Sequence, residues 1–297
     1  MPLHRSPKHL CLAVSFGLTI ASLPGHASDS PFGYVYTTDT HPKGQWEVEQ
    51  WITNRHGKSR GDYDAWLYRT ELEYGISNEF QASLYANYNS VNAFRSKADG
   101  ATGGTFVPDD ADPDARYQKR FFDSASAELI YRLLSPYKDP IGLAIYIEPT
   151  YGPKHRELEA KLILQKNFLE DQLVWAANLT AALEREKFPG EWEKETELEF
   201  TTGLAYRFAP NWHAGGEFRH LRKYEGYGFG TRETAANFVG PAVHYASKSW
   251  WASLTYLPQI GGAKAYTEEA REELVNGRIY GETAERREIR LKVGITF

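Results

Sequence analysis

Cysteine is nearly absent from these 297 residues: there is one, Cys11, and it sits in the amino-terminal apolar run. A chain of this size without a cysteine pair is held together by packing and hydrogen bonding, even in an oxidising compartment. Methionine is equally scarce, at one residue. Long hydrophobic runs are missing as well. The best contender, Leu10 to Leu23, falls short of the roughly 18 apolar residues a spanning helix needs, which excludes a helical membrane protein. Positive charge is not in surplus either. Lys and Arg number 34 against 39 Asp and Glu, a formal charge of -5, and the cations are scattered, so there is no footprint for nucleic acid. Walker and dinucleotide glycine loops are missing. What the chain does have is 41% apolar residues, which alternate with charge over most of its length and exclude disorder.

Residues 1–27 read as a secretory signal peptide. His4, Arg5, Lys8 and His9 precede the apolar run, and Pro24-Gly-His-Ala27 offers small residues at a cleavage site. Loss of Arg5 and Lys8 takes the formal charge from -5 to -7. Residues 28–43 are expected to form a periplasmic amino-terminal segment, and residues 44–297 the folded domain.

From Gln45 onward apolar residues recur at every second position, the period of a strand with two chemically different faces. Leu72 and Tyr74 alternate with Glu71 and Glu73, Leu84 and Ala86 with Ser83 and Tyr85, and Leu291, Val293, Ile295 and Phe297 with Arg290 and Lys292. About twelve such stretches occur, each about ten residues long, enough to cross a bilayer at a tilt. Short turns, such as Ser77-Asn78 and Ser247-Lys248, alternate with longer polar links, such as Ser90 to Arg120 and Gln259 to Glu285. The pattern predicts an all-β fold, a closed antiparallel up-and-down transmembrane β-barrel of about 12 strands with short periplasmic turns and long extracellular loops. Tyr74, Phe80, Tyr131, Phe208, Trp212, Tyr245, Trp250 and Phe297 flank the short turns on the apolar phase, as an interfacial aromatic girdle would. A soluble sandwich or propeller would alternate too, but with Leu72, Leu84, Leu129 and Leu204 buried beneath a second layer.

The ending Arg290-Leu-Lys-Val-Gly-Ile-Thr-Phe297 resembles the carboxyl-terminal signal of Gram-negative outer-membrane barrels. That resemblance implies recognition of Leu291, Val293, Ile295 and Phe297 by the barrel-assembly machinery and location in the bacterial outer membrane. The segment Tyr34-Val-Tyr-Thr-Thr-Asp-Thr-His-Pro-Lys-Gly-Gln-Trp-Glu-Val-Glu-Gln-Trp51 resembles the start of an uncharacterised, porin-like family of proteobacterial outer-membrane barrels. The family brings no assigned substrate or catalytic residue.

On the inward phase the sequence places Glu47, Glu49, Glu71, Glu73, Glu128, Glu157, Glu159, Glu197, Glu199 and Glu217 against Arg69, Arg132, Lys161, Arg207, Arg219, Arg290 and Lys292. Such a net acidic lumen favours neutral or cationic solutes. Alternatively these charges, with Trp51, Tyr85, Tyr146 and Trp251, fill the interior and leave a plugged structural barrel that interacts with lipopolysaccharide. Closure of the sheet predicts contact between Glu49 and Lys292 at the seam. Basic loop residues, including Arg55, Lys58, Arg60, Arg116, Arg222 and Lys223, suit lipopolysaccharide phosphates or a solvated surface. Asp110, Asp112 and Asp114 lack the glycine and distal glutamate of a calcium loop, and no metal or cofactor is expected. Thr267 to Gly277 reads as a short helix.

Catalysis would need a rim-sited lipid hydrolase using His220 or His244, and His220 has no serine on its own outward face. His213 and Glu217 are too far apart along a strand to share a metal. The reading is therefore a monomeric channel or binding barrel for small solutes and not an enzyme, with outer-membrane lipid, lipopolysaccharide and the assembly machinery as partners.

Overall fold

A computed structural model describes residues 30–108, 110–187, 191–281 and 284–297. The signal peptide, residues 1–27, lies outside the described residues.

The alternating stretches form twelve long antiparallel strands: β1 (Trp46–His56), β2 (Asp62–Gly75), β3 (Phe80–Phe94), β4 (Tyr117–Leu134), β5 (Gly142–Tyr151), β6 (His155–Phe168), β7 (Leu173–Lys187), β8 (Trp192–Ala209), β9 (Trp212–Glu225), β10 (Arg232–Ala246), β11 (Trp250–Ala265) and β14 (Arg287–Thr296). Each pairs with its sequence neighbour. The small elements before β14 are not strands of the ring, and β1 closes on β14, so the ring itself has no open edge. In hydrocarbon that closure is obligatory, because no water is present to satisfy an unpaired edge. At the seam Val48 faces Ile295 and Trp51 faces Lys292, and the Trp46 amide and carbonyl exchange hydrogen bonds with Phe297.

The apolar phase lies on the outside. Leu72, Leu84, Leu129 and Leu204 are 40%, 65%, 40% and 49% exposed, with no second layer over them, which rules out a soluble sandwich. An apolar surface on this scale marks contact with lipid. The girdle aromatics gather at the short-turn end, where Trp46 meets Tyr74 at 4.4 Å and Tyr245 lies between Trp212 and Trp250 at 4.9 and 5.0 Å.

Two regions depart from the sequence reading. The strands outrun the expected loop boundaries: β3 continues to Phe94 and β4 begins at Tyr117, so the barrel projects beyond a ten-residue span at its long-loop end. The expected helix over Thr267 to Gly277 is shorter, α1 (Glu268–Glu272), with the Thr267 hydroxyl accepting from the Ala270 amide. Beyond it β12 (Leu274–Val275) and β13 (Arg278–Ile279) form a hairpin around Asn276-Gly277, both residues at positive φ. Asn-Gly is the pair that a tight two-residue turn prefers, because both central residues must be left-handed.

Candidate functional site

The lumen is occupied by the chain itself. Most of the described part of the expected periplasmic segment, residues 30–41, runs inside the barrel, with Phe32, Tyr34, Val35, Thr38 and His41 buried. The wall offers it what a neighbouring strand would. The Glu217 carboxylate accepts from three consecutive amides, Gly33 and Tyr34 at 2.7 Å and Val35 at 3.2 Å, and from the Thr255 hydroxyl at 2.6 Å. Asn178 accepts from the Tyr36 amide at 2.7 Å and donates to its carbonyl at 2.9 Å, imitating a backbone rung. Gln165 accepts from the Thr38 amide at 2.7 Å, and Gln81 from the His41 amide at 3.0 Å. These bonds satisfy the segment's polar backbone inside the barrel.

Its side chains are seated as deliberately. Phe32 packs on inward Ala176 and Ala205, over Gly203, where an added Cβ would come within 2.6 Å of the ring. The Tyr34 hydroxyl donates to Glu288 at 2.8 Å, and the Arg290 guanidinium lies 3.8 Å above the Tyr34 ring. Tyr36 packs edge-on against Tyr146 at 5.3 Å, with the Lys161 ammonium over both rings. Near the short turns His41 Nε2 lies 2.9 Å from Glu73 and 3.9 Å from Glu47. Burial lowers the His41 imidazole to about 4, against the raising influence of Glu49.

The long-loop end is also folded in. Lys58, expected at a solvated rim, is buried, bonded to Glu285 at 3.0 Å, to the Ala284 carbonyl at 2.9 Å and to the Thr105 hydroxyl at 3.2 Å. Its ammonium pKa is lowered by burial, with Glu285 opposing. Gln259 grips the Ile279 backbone through both ends of its amide. Ile279 and Ala284 thereby join Tyr34, Phe238 and Leu257 in one apolar cluster, so an outer loop and the amino-terminal segment meet inside the barrel.

A chamber of about 320 Å³ remains, lined by Tyr34 and Tyr36 of the amino-terminal segment and by Gly104 to Val107 of an inturned loop. Its carboxylates lie mostly on one side: Glu148 on β5, Glu157 and Glu159 on β6, Glu184 and Glu186 on β7, and Glu195, Glu197 and Glu199 on β8. Arg55 on β1, Arg69 on β2 and Arg290 on β14 come from strands halfway round the ring. Arg219 pairs with Glu199 and, at 3.1 Å, with Glu288; Lys223, another residue read as rim-exposed, turns inward to Glu195 at 2.7 Å.

Of the charges assigned to the lumen, Glu47, Glu49, Glu71, Glu73, Glu128, Lys161, Glu217, Arg219 and Lys292 are buried on the inner face, and Arg69, Glu157, Glu159, Glu197, Glu199 and Arg290 line the chamber. Arg132 and Arg207 are corrections. They sit at the short-turn rim, Arg132 donating to the Asn78 carbonyl and Arg207 exposed, because the register shifts beside each residue where its strand ends. Glu49 and Lys292 do meet at the seam, 3.7 Å apart. Leu291 and Val293 are half-buried and Ile295 and Phe297 exposed, all on the outer phase. His244 is not on the outer wall. It is buried in the lumen, 2.7 Å from Ser253. His220 is on the outer face and is held by Asn237 at 2.7 Å and Arg222 at 2.8 Å.

These features can be set beside known proteins. The pattern of a family of unknown function, DUF6662, matches residues 24–297. The chain belongs to that family. No curated protein matches it. Among solved structures it is similar to the COG4313 outer membrane channel from Pseudomonas putida F1, with 10% identity and a TM-score of 0.57 over 88% of this chain and 98% of that one. It is also similar to the NanC porin, with 11% identity and a TM-score of 0.50 over 84% and 98%. At such identities the likeness is one of fold, that of an outer-membrane porin-like barrel.

The residues that hold the segment, Gln81, Asn178, Gln165 and Thr255, carry no charge and so do not stand out on the inward phase of the sequence. The available signal was an amide or hydroxyl on the inward phase, flanked on neighbouring strands by small residues such as Ala176, Gly203 and Ala205.

Proposed function

We propose that this is an outer-membrane channel for small cationic or neutral solutes, shut in the present state by its own amino-terminal segment at the short-turn, periplasmic end. The observation that carries the proposal is the chamber inside the barrel, whose lining has nine carboxylates against six Lys and Arg. An acid-rich wall facing a row of arginines sets up a transverse field that favours cations over anions and orients dipolar solutes as they pass. The segment's hold on Asn178, Gln165 and Gln81 is made of neutral hydrogen bonds worth about 0.5–1.5 kcal/mol net each, and its hold on the Glu217 carboxylate of bonds worth about 1.5–3 kcal/mol each, all of which water can replace one at a time. In this reading the barrel is a monomer delivered by the assembly machinery through its carboxyl-terminal strand, with the exposed rim arginines against lipopolysaccharide.

Planar-bilayer recording tests it. The native protein should rest closed with brief openings, and the Glu217→Ala, Gly203→Leu double variant should conduct persistently, with a reversal potential displaced toward the cation. A variant that stays folded yet silent would instead support the second reading, a permanently plugged structural barrel, which the extent of the segment's bonding favours. Anion preference in the open variant would overturn the assignment of solute class.

A further inference from the structure

The short-turn end of the lumen holds a charge arrangement that neither packing nor the chamber explains. In the β1–β2 pair Glu47 stands directly opposite Glu73, and Glu49 directly opposite Glu71, all four on the inner face and all buried. Like charges directly opposite one another on a sheet are destabilising, and burial sharpens the cost. The compensation is thin. Lys292 lies 3.7 Å from Glu49, the Trp251 indole donates to Glu47 at 2.8 Å, and Trp51 and Gln81 donate to Glu49 and Glu73. The second oxygens of Glu47 and Glu71 are buried with no hydrogen-bond partner among the described residues, although these side chains are only 0% and 2% exposed. His41 completes the set from the amino-terminal segment. Ligand atoms of His41, Glu47 and Glu73 lie within 4.8 Å of one another, and so do those of Glu49, Glu71 and Glu73.

We propose that His41, Glu47 and Glu73 bind a divalent first-row metal ion, which pins the amino-terminal segment to the barrel wall. An imidazole nitrogen with carboxylate oxygens and no thiolate suits zinc or a neighbouring borderline ion. Bonds of about 2.0–2.2 Å place ligand atoms roughly 3–3.5 Å apart, so the site closes on an ion with about 1 Å of contraction. Glu49 and Glu71 lie beside it and add negative field. Glu47 and Glu73 belong to the wall and His41 to the segment, so the ion is a tie between the two. The consequence for gating rests on the reading of the segment as the closing element, whereas the binding itself does not.

The test uses the full-length folded protein in detergent, stripped with a chelator and titrated with Zn²⁺ by calorimetry. One equivalent should bind, and His41→Ala and Glu73→Gln should each weaken it about 100-fold, while Glu79→Gln on the short turn leaves it unchanged. Cu²⁺ in place of Zn²⁺ should show hyperfine coupling to one nitrogen in its paramagnetic resonance spectrum, lost in His41→Ala, a readout independent of any change in stability. Absence of binding, or binding indifferent to both substitutions, overturns the proposal. Conductance is read separately. If Zn²⁺ binds as described but neither Zn²⁺ nor chelator alters channel opening, the metal site stands and the gate assignment fails.

Discussion

At the scale of single residues, Glu217 carries more than its neighbours. It is a buried carboxylate whose partners are amides and a hydroxyl; once it is gone the Gly33 amide keeps only the Thr255 hydroxyl at 3.1 Å, and the Tyr34 and Val35 amides lose the acceptor that holds them. Glu217→Ala should therefore cost about 3 kcal/mol in docking of the segment, since charged hydrogen bonds are worth roughly 1.5–3 kcal/mol each and stranded buried donors add to the loss. Hydrogen exchange at these three amides, about 100-fold faster than in the native protein, would register it. Gly203 acts by what it lacks. A side chain there occupies the place of the Phe32 ring, so Gly203→Leu should expel Phe32 and make the peptide bonds around it susceptible to added protease, with the barrel itself remaining resistant. Neither role was visible in the sequence, where Glu217 was one inward carboxylate among many and a strand glycine usually marks a bulge or a close approach without saying of what.

At the scale of elements, the alternation that identified the strands also fixed which side chains face in. It correctly placed Trp51, Tyr85, Tyr146 and Trp251 inside, and it brought Glu49 to Lys292 through closure alone. It failed where structure does not repeat with period two. The amino-terminal segment pairs through side-chain amides, so its order depends on residues more than a hundred positions away. The inturned loops depend likewise on Lys58, whose partners include Ala284 and Glu285. Removing one member of a buried ion pair typically costs about 3–5 kcal/mol because the other is left uncompensated. Lys58→Ala should thus loosen Ala284 and Glu285 together with residues 104–107, measured as coordinated gains in hydrogen exchange, whereas Arg60→Ala on the same loop should leave both unchanged. The Asn276-Gly277 turn was legible as a hairpin signal but was overshadowed by the N-cap and acids of the preceding helix.

At the scale of the whole molecule, an acid-lined arc from β5 to β8 faces arginines on β14, β1 and β2. In the opened channel, Glu197→Gln with Glu199→Gln should reduce the permeability ratio of potassium over chloride about two- to fivefold, more at low ionic strength, because a Debye length of about 10 Å at 0.1 M salt already spans much of the lumen. Reversal potentials in a salt gradient provide the measurement.

The amino-terminal segment also imposes a sequence of events on folding. Its partners Glu217, Thr255 and Arg290 come from β9, β11 and β14, and they stand around a common space only after the sheet has curled and β14 has met β1. Contacts separated by 184, 222 and 257 residues cannot form before that. The earliest described stretch of the polypeptide should thereby be the last to settle. Refolding into lipid should show a ring-shaped, heat-modifiable species before the amides of residues 33–36 become protected, a newborn pore that is briefly open.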